Sequence, residues 1–285
     1  MWIIIGIMNS INFKSEKQIK LKGEKYNQLF YSFEDIDFTV TSHFQDNKNL
    51  NLVFIHGLAG SSDIWIDLMH QCYKKYNIYA LDLPWNGRKS MNYRDSCFLL
   101  KWFSEIINFL NLPSDDTCII AHSFGATMTL SCLLIHEIGV SKLILCAPTW
   151  KNEDGSHIDW KEYKEFIIKF EESIYEFIKL KHSNIKEEIV NIMIDRILQE
   201  SSPRNTLSFI DCLFNLPNIP PNYRNNISIL IIYGKQDEVV STKHSKYLYK
   251  ALPNARLIEY PYSKHYIMLD NTTEFNNDII KFISK

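Results

Sequence analysis

Residues 118–135 constrain the fold more than any other stretch of the chain. Cys118 to Ala121 read as a short, wholly apolar strand, and residues 126–135 as a helix of small and apolar side chains. Only His122-Ser123-Phe124-Gly125 separates them. A turn this sharp needs small neighbours where strand and helix approach, and Ala121 and Gly125 provide them. It also leaves the Ser123 hydroxyl above a sheet at the amino end of a helix, where backbone N–H groups favour developing negative charge. His122 is adjacent, but neighbouring residues on a tight turn point apart, so the sequence gives it a packing or hydrogen-bonding role.

The surrounding pattern fits a strand–turn–helix unit of this kind. Strands are expected at 51–55, 78–83, 118–121 and 142–146, with helices at 64–73, 98–110 and 126–135 between them. Such alternation predicts βαβ units, a mostly parallel sheet covered by helices on both faces, and ligands beyond the carboxyl ends of the strands. Ahead of it, residues 28–44 form two short runs rich in Phe, Tyr, Val and Thr around Glu34-Asp35-Ile36-Asp37, which predicts an antiparallel hairpin. From 149 to 226 the strand signal disappears, and Trp160, Tyr163, Phe166, Ile167, Phe170 and Ile174 recur at helical spacing. Strands at 227–233 and 256–260 then resume the pattern. The reading is an α/β core formed by residues 1–148 and 227–285, interrupted by a helical lid at 149–226.

His56-Gly57-Leu58-Ala59-Gly60-Ser61 follows the strand at 51–55 and precedes a helix. A Gly-containing turn there can aim a backbone N–H over Ser123, so that the amides of Leu58 and Phe124 form a two-donor oxyanion hole. Together, Phe54-Ile55-His56-Gly57, Asp82-Leu83-Pro84-Trp85-Asn86-Gly87-Arg88-Lys89-Ser90 and Ala121-His122-Ser123-Phe124-Gly125 resemble, in that order, the motifs of the α/β-hydrolase superfamily. The resemblance implies an α/β-hydrolase fold: a mostly parallel central sheet flanked by helices, with a helical cap. It also implies that Asp82 stabilises a turn, and that an acid and a histidine follow the last two strands. Gly234-Lys235-Gln236-Asp237-Glu238-Val239-Val240 looks like the acid loop and Ser263-Lys264-His265-Tyr266 like the histidine loop. Ser123, Asp237 and His265 are the expected catalytic residues, with Glu238 a solvated neighbour and Asp154 or Asp159 an alternative acid. Ala121 and Lys264 stand where the family more often has glycine. The implied activity is that of a serine hydrolase acting on an ester or thioester of a small to medium, partly apolar molecule. Carbon–carbon hydrolases, acyltransferases, lyases and slow ligand sensors share the scaffold. Trp150, Trp160 and Phe209 are the candidate substrate-contacting aromatics.

Composition narrows the partners. With a net charge of -2 over 285 residues and no long Lys/Arg block, the chain lacks the electrostatic footprint of a nucleic-acid binder. The six cysteines include no C-x-x-C pair, which fits free thiols in a reducing cytoplasm. Residues 1–8 are apolar but too short to span a bilayer, and Met8 is an alternative start. His136-Glu137 lacks a second histidine at helical spacing, and no dinucleotide or Walker fingerprint occurs, so no cofactor and no metal are expected. Oligomeric state leaves no signature here.

Overall fold

The computed structural model describes residues 11–44, 50–86, 93–136, 138–151, 159–182, 184–200, 203–220, 223 and 226–285. The expectations for Met1 to Met8, for Gly87 to Ser90, for Glu137, and for Asp154 lie outside them. Nine described strands form one sheet in the order β1-β2-β3-β5-β4-β6-β7-β8-β9. They are β1 (Asn12–Leu21), β2 (Glu24–Phe33), β3 (Ile36–His43), β4 (Asn51–Ile55), β5 (Asn77–Asp82), β6 (Thr117–His122), β7 (Lys142–Cys146), β8 (Ser228–Gly234) and β9 (Ala255–Tyr260). The first three strands pair antiparallel and β3 meets β5 antiparallel, whereas β5, β4, β6, β7, β8 and β9 are all parallel.

Both early hairpins close through two-residue turns at positive φ. Lys22 (48°) and Gly23 (87°) join β1 to β2, and Glu34 (52°) and Asp35 (60°) join β2 to β3. Positive φ at both central residues matches the right-handed twist of the flanking strands. The central parallel strands are apolar along their length because helices cover both faces: β4 and β6 are buried at every residue.

One helical layer comprises α1 (Ile66–Cys72, entered through a 3₁₀ turn), the short α8 (Ile267–Asp270) and α9 (Thr272–Ile283). It buries Trp65, Leu68, Phe275 and Ile279 against Phe54, Ile120 and Ile232. The opposite layer comprises α2 (Ser96–Phe109) and α3 (Phe124–Ile135), with Trp102, Phe103 and Met128 set against Val53, Ile119 and Leu145. Helix α7 (Thr242–Ala251) adds Leu248 to that cluster.

Between β7 and β8 the described chain forms α4 (Trp160–Lys181), α5 (Glu187–Glu200) and α6 (Pro203–Phe214). These helices do not pack alike. Ile174 and Ile178 of α4 meet Val190 and Ile194 of α5 in a small separate core. Helix α6 instead inserts Phe209, Cys212 and Leu213 into the main core and is tied to the start of α2, where Ser96 N–H donates to Asp211 at 2.6 Å. No described helix is long and apolar enough to cross a membrane.

The order β5-β4-β6 fixes where a ligand can bind. From β4 the chain moves outward to β5 and then returns to the other side of β4 as β6, so the winding direction reverses between β4 and β6. Their carboxyl ends diverge into loops that leave a crevice. The His56-Gly57-Leu58 turn and Ser123 sit at those two ends.

Candidate active site

Ser123 follows β6 and precedes α3 with φ 51° and ψ -123°, a left-handed backbone conformation that a non-glycine residue keeps only when its surroundings fix it. Two contacts do so here: Ser123 N–H donates to the Cys146 carbonyl at 2.8 Å, and the Ser123 carbonyl accepts from Thr127 N–H at 3.1 Å. The elbow also depends on Gly125. A β-carbon there would lie 2.3 Å from the His56 carbonyl oxygen and 2.8 Å from Ile55 Cγ2, closer than atoms approach. The absence of a side chain at Gly125 thus lets α3 rest directly on the end of β4.

The facing turn is held by buried polar contacts. His56 is fully enclosed; its Nε2 accepts from Leu83 N–H at 3.0 Å, so Nδ1 carries the proton and donates to the Gly57 carbonyl at 2.7 Å. The His56 carbonyl accepts from the Trp85 indole at 3.0 Å, and Ala59 N–H donates to the Trp85 carbonyl at 2.7 Å. Asp82 caps the neighbouring turn by accepting from Ser62 N–H at 2.7 Å, 20 positions away, which is the turn-stabilising role its motif implied. These bonds fix the Leu58 backbone beside Ser123. Among the described residues, the Leu58 and Phe124 amides donate to no other backbone or side-chain group.

From the far edge of the crevice, Asp237 and His265 reach in on the loops after β8 and β9. One Asp237 oxygen accepts from the N–H groups of Val239 (2.9 Å) and Val240 (2.8 Å), and the other lies 2.8 Å from His265 Nδ1. His265 Nε2 is 3.1 Å from Ser123 Oγ. The two loops touch at Gly234, where a β-carbon would fall 2.1 Å from the Lys264 carbonyl oxygen. Asp237 and His265 have side chains only 2% and 3% exposed, so water does not screen their interaction. Burial disfavours a charged His265, but the charge and hydrogen bond of Asp237, with Glu176 adding, outweigh it and hold its pKa above the ordinary value of 6.5. If His265 must be neutral to accept the serine proton, kcat/KM rises with pH and reaches half its maximum above about pH 6.5. A pH–rate profile with its acid limb well below that value would contradict this.

His122 lies against this dyad without joining it. Its ring is 4.7 Å from that of His265 and its Nε2 donates to the His265 carbonyl at 3.1 Å. Burial, and then the neighbouring His265, push its pKa well down, so it stays neutral. Glu238 is exposed and pairs with Lys264 at 3.9 Å, as expected of a solvated neighbour. Asp159 is exposed on the approach to α4.

The space at Ser123 is small: a cavity of about 10 Å³, walled by Gly57, Leu58, Gly60, Ile64, His122, Ser173, Val239, His265 and Tyr266. That is room for about one water molecule. Trp150, Trp160 and Phe209 form none of these walls. Trp150 is fully buried in the main core, and Phe209 packs in the same core against the Phe124 ring at 5.2 Å. Trp160 is 57% exposed and stacked on Phe214 at 6.2 Å. Aromatic content alone does not tell a binding wall from a packing core. Several of the residues that do form the cavity lie in the recognised motifs, but Ser173 gave no signal in the sequence, because a serine within an amphipathic helix has no motif around it.

Comparison with known proteins gives a consistent result. The sequence profile described as "Alpha/beta hydrolase family" matches residues 52–278. "Probable lysophospholipase BODYGUARD 4" of Arabidopsis thaliana is 29% identical over 119 residues, covering 40% of this chain and only 28% of the relative's own length. "Pimeloyl-[acyl-carrier protein] methyl ester esterase" of Vibrio atlanticus is 21% identical over 256 residues, covering 82% of this chain and 95% of that one. The crystal structure of an esterase from Rhodococcus sp. ECU1013 superposes with a TM-score of 0.69 over 97% of this chain and 99% of the other, at 16% identity.

Proposed function

The chain belongs to the α/β-hydrolase family, and from that premise we propose that it hydrolyses a carboxylic ester or thioester of a small to medium, partly apolar molecule through an acyl-serine intermediate. The observation that carries this reading is the line Asp237 Oδ2, His265, Ser123 Oγ, with separations of 2.8 and 3.1 Å, ending on a serine at positive φ. Ester chemistry also agrees with the name of the Vibrio relative, whose match runs along most of both chains.

That geometry supports the following steps. His265 Nε2 takes the hydroxyl proton as Ser123 Oγ attacks the acyl carbon. The carbonyl oxygen becomes an oxyanion, which the Leu58 and Phe124 amides stabilise in a site that needs no reorganisation. The tetrahedral species collapses as His265 returns the proton to the leaving alcohol or thiol, and the same base activates a water that releases the acid. Asp237, its second oxygen anchored by Val239 and Val240, keeps His265 Nδ1 protonated so that Nε2 faces the serine. Leu58, Ile64, Val239 and Tyr266 make the wall beside Ser123 mostly apolar.

Asp237→Asn is expected to lower kcat by about 10²–10⁴-fold, less than the loss of the histidine itself. A steady-state assay on matched acyl-ester and acyl-thioester series tests the reading. Acid release at a rate that depends on acyl length supports it, whereas product that forms only when an acceptor other than water is added replaces hydrolysis with acyl transfer.

A further inference from the structure

We propose that Glu176 is a second positioning carboxylate for His265, carried by helix α4 so that its charge supports the imidazolium only while that helix is docked on the histidine loop. The proposal rests on the reading of His265 as the base and extends it to a residue outside the family motifs.

Ser173 and, one helical turn further on, Glu176 and Phe177 lie where α4 meets this loop. Ser173, which is 2% exposed, lies with its hydroxyl 3.2 Å from the Tyr266 hydroxyl. Phe177 packs its ring 5.3 Å from that of Tyr266. Burial pushes the Glu176 carboxyl above the usual carboxylate range, with the charge of Asp237 adding, while His265, Lys264 and the Tyr266 backbone N–H favour its charged form. Its Oε1 is completely enclosed yet, among the described residues, has no hydrogen-bond partner. A buried, unpaired acceptor is costly unless a charge of opposite sign compensates it. The larger of the positive charges that act on it, ahead of Lys264, is the imidazolium that His265 forms during turnover, and the interaction runs both ways: Glu176 favours the charged histidine, and the histidine favours the charged carboxylate.

The other charges around the pair do not replace this one. Facing His265 from the remaining elements are Asp237 and the neutral His122. Near Glu176, the groove holds Glu172, Tyr175 and Lys179 of α4, Glu238 of the acid loop, Tyr262 and Lys264 of the histidine loop, and Asp270 of α8. Of its two cations, Lys179 is paired with Glu187 at 3.1 Å and Lys264 with Glu238 at 3.9 Å. Glu176 therefore adds to the work of Asp237, and because α4 carries it, swinging α4 away to admit substrate would weaken the base until the helix returns.

The test is an NMR titration of the His265 imidazole in the resting protein, comparing wild type with Glu176→Gln and Glu176→Asp. The midpoint is expected to fall by roughly half a unit to one unit in Glu176→Gln and by less in Glu176→Asp. The acid limb of the rate profile should move down with it, and Asp237→Asn should lose several-fold more activity when combined with Glu176→Gln. An unchanged midpoint in Glu176→Gln overturns the proposal, even if activity falls. Because the midpoint is read without substrate, it stands apart from the esterase reading: an inert Ser123 beside a shifted midpoint would remove that reading and leave the Glu176–His265 coupling in place.

Discussion

Ser123→Ala and His265→Ala should each lower kcat by about 10⁴–10⁶-fold, and the double variant should be scarcely worse than either single one. The losses do not add because Ser123 and His265 perform one event: without the base the hydroxyl is not activated, and without the hydroxyl the base has nothing to deprotonate. What survives is the contribution of the Leu58 and Phe124 amides and of substrate binding. The fold should tolerate both changes. Among the described residues the Ser123 side chain hydrogen-bonds only to His265, and the backbone bonds that hold the elbow, to Cys146 and from Thr127, involve no side chain of Ser123. Circular dichroism and thermal melting close to wild type, beside a lost turnover, would show that chemistry and not architecture had been removed.

The largest stability effect is expected at Gly125. Alanine ordinarily favours a helix over glycine by about 1 kcal/mol, so on propensity alone Gly125→Ala at the start of α3 would stabilise the protein. The added methyl would meet the His56 carbonyl oxygen at 2.3 Å, and that oxygen is backbone, held by the Trp85 indole. Moving α3 away costs about 3 kcal/mol or more, and the clash therefore wins. The same movement displaces the Phe124 amide and Ser123, so the remaining folded protein should also lose activity. Denaturant unfolding tests this, since a variant at least as stable as wild type would show that the helix can lift off β4 freely.

How far the sequence could be read depended on which physical signal each part carries. The parallel strands at 51–55, 118–121 and 142–146 stand out because burial on both faces makes them continuously apolar. Ser123, Asp237 and His265 are far apart in the chain, yet each sits in a loop of recognisable composition after a strand, and the structure brings the three within hydrogen-bond distance. Strand β1 was not legible: its residues are mostly polar, because β1 lies at the sheet edge with most of its side chains in solvent and has no face to bury. The helices at 149–226 were legible as helices from their period, but period does not reveal that α6 joins the main core while α4 and α5 form their own. For the same reason Trp150, Trp160 and Phe209 looked like a substrate wall, while Ser173 and Glu176, which face the catalytic loop, looked like ordinary positions on a surface helix.

The most direct test of the central claim is intact-mass analysis after treatment with a serine-directed fluorophosphonate, run on wild type and Ser123→Ala together. The account predicts one adduct on the wild type and none on the variant, because only a serine whose proton His265 can take attacks phosphorus at a useful rate. An unlabelled wild type, or equal labelling of Ser123→Ala, would contradict it.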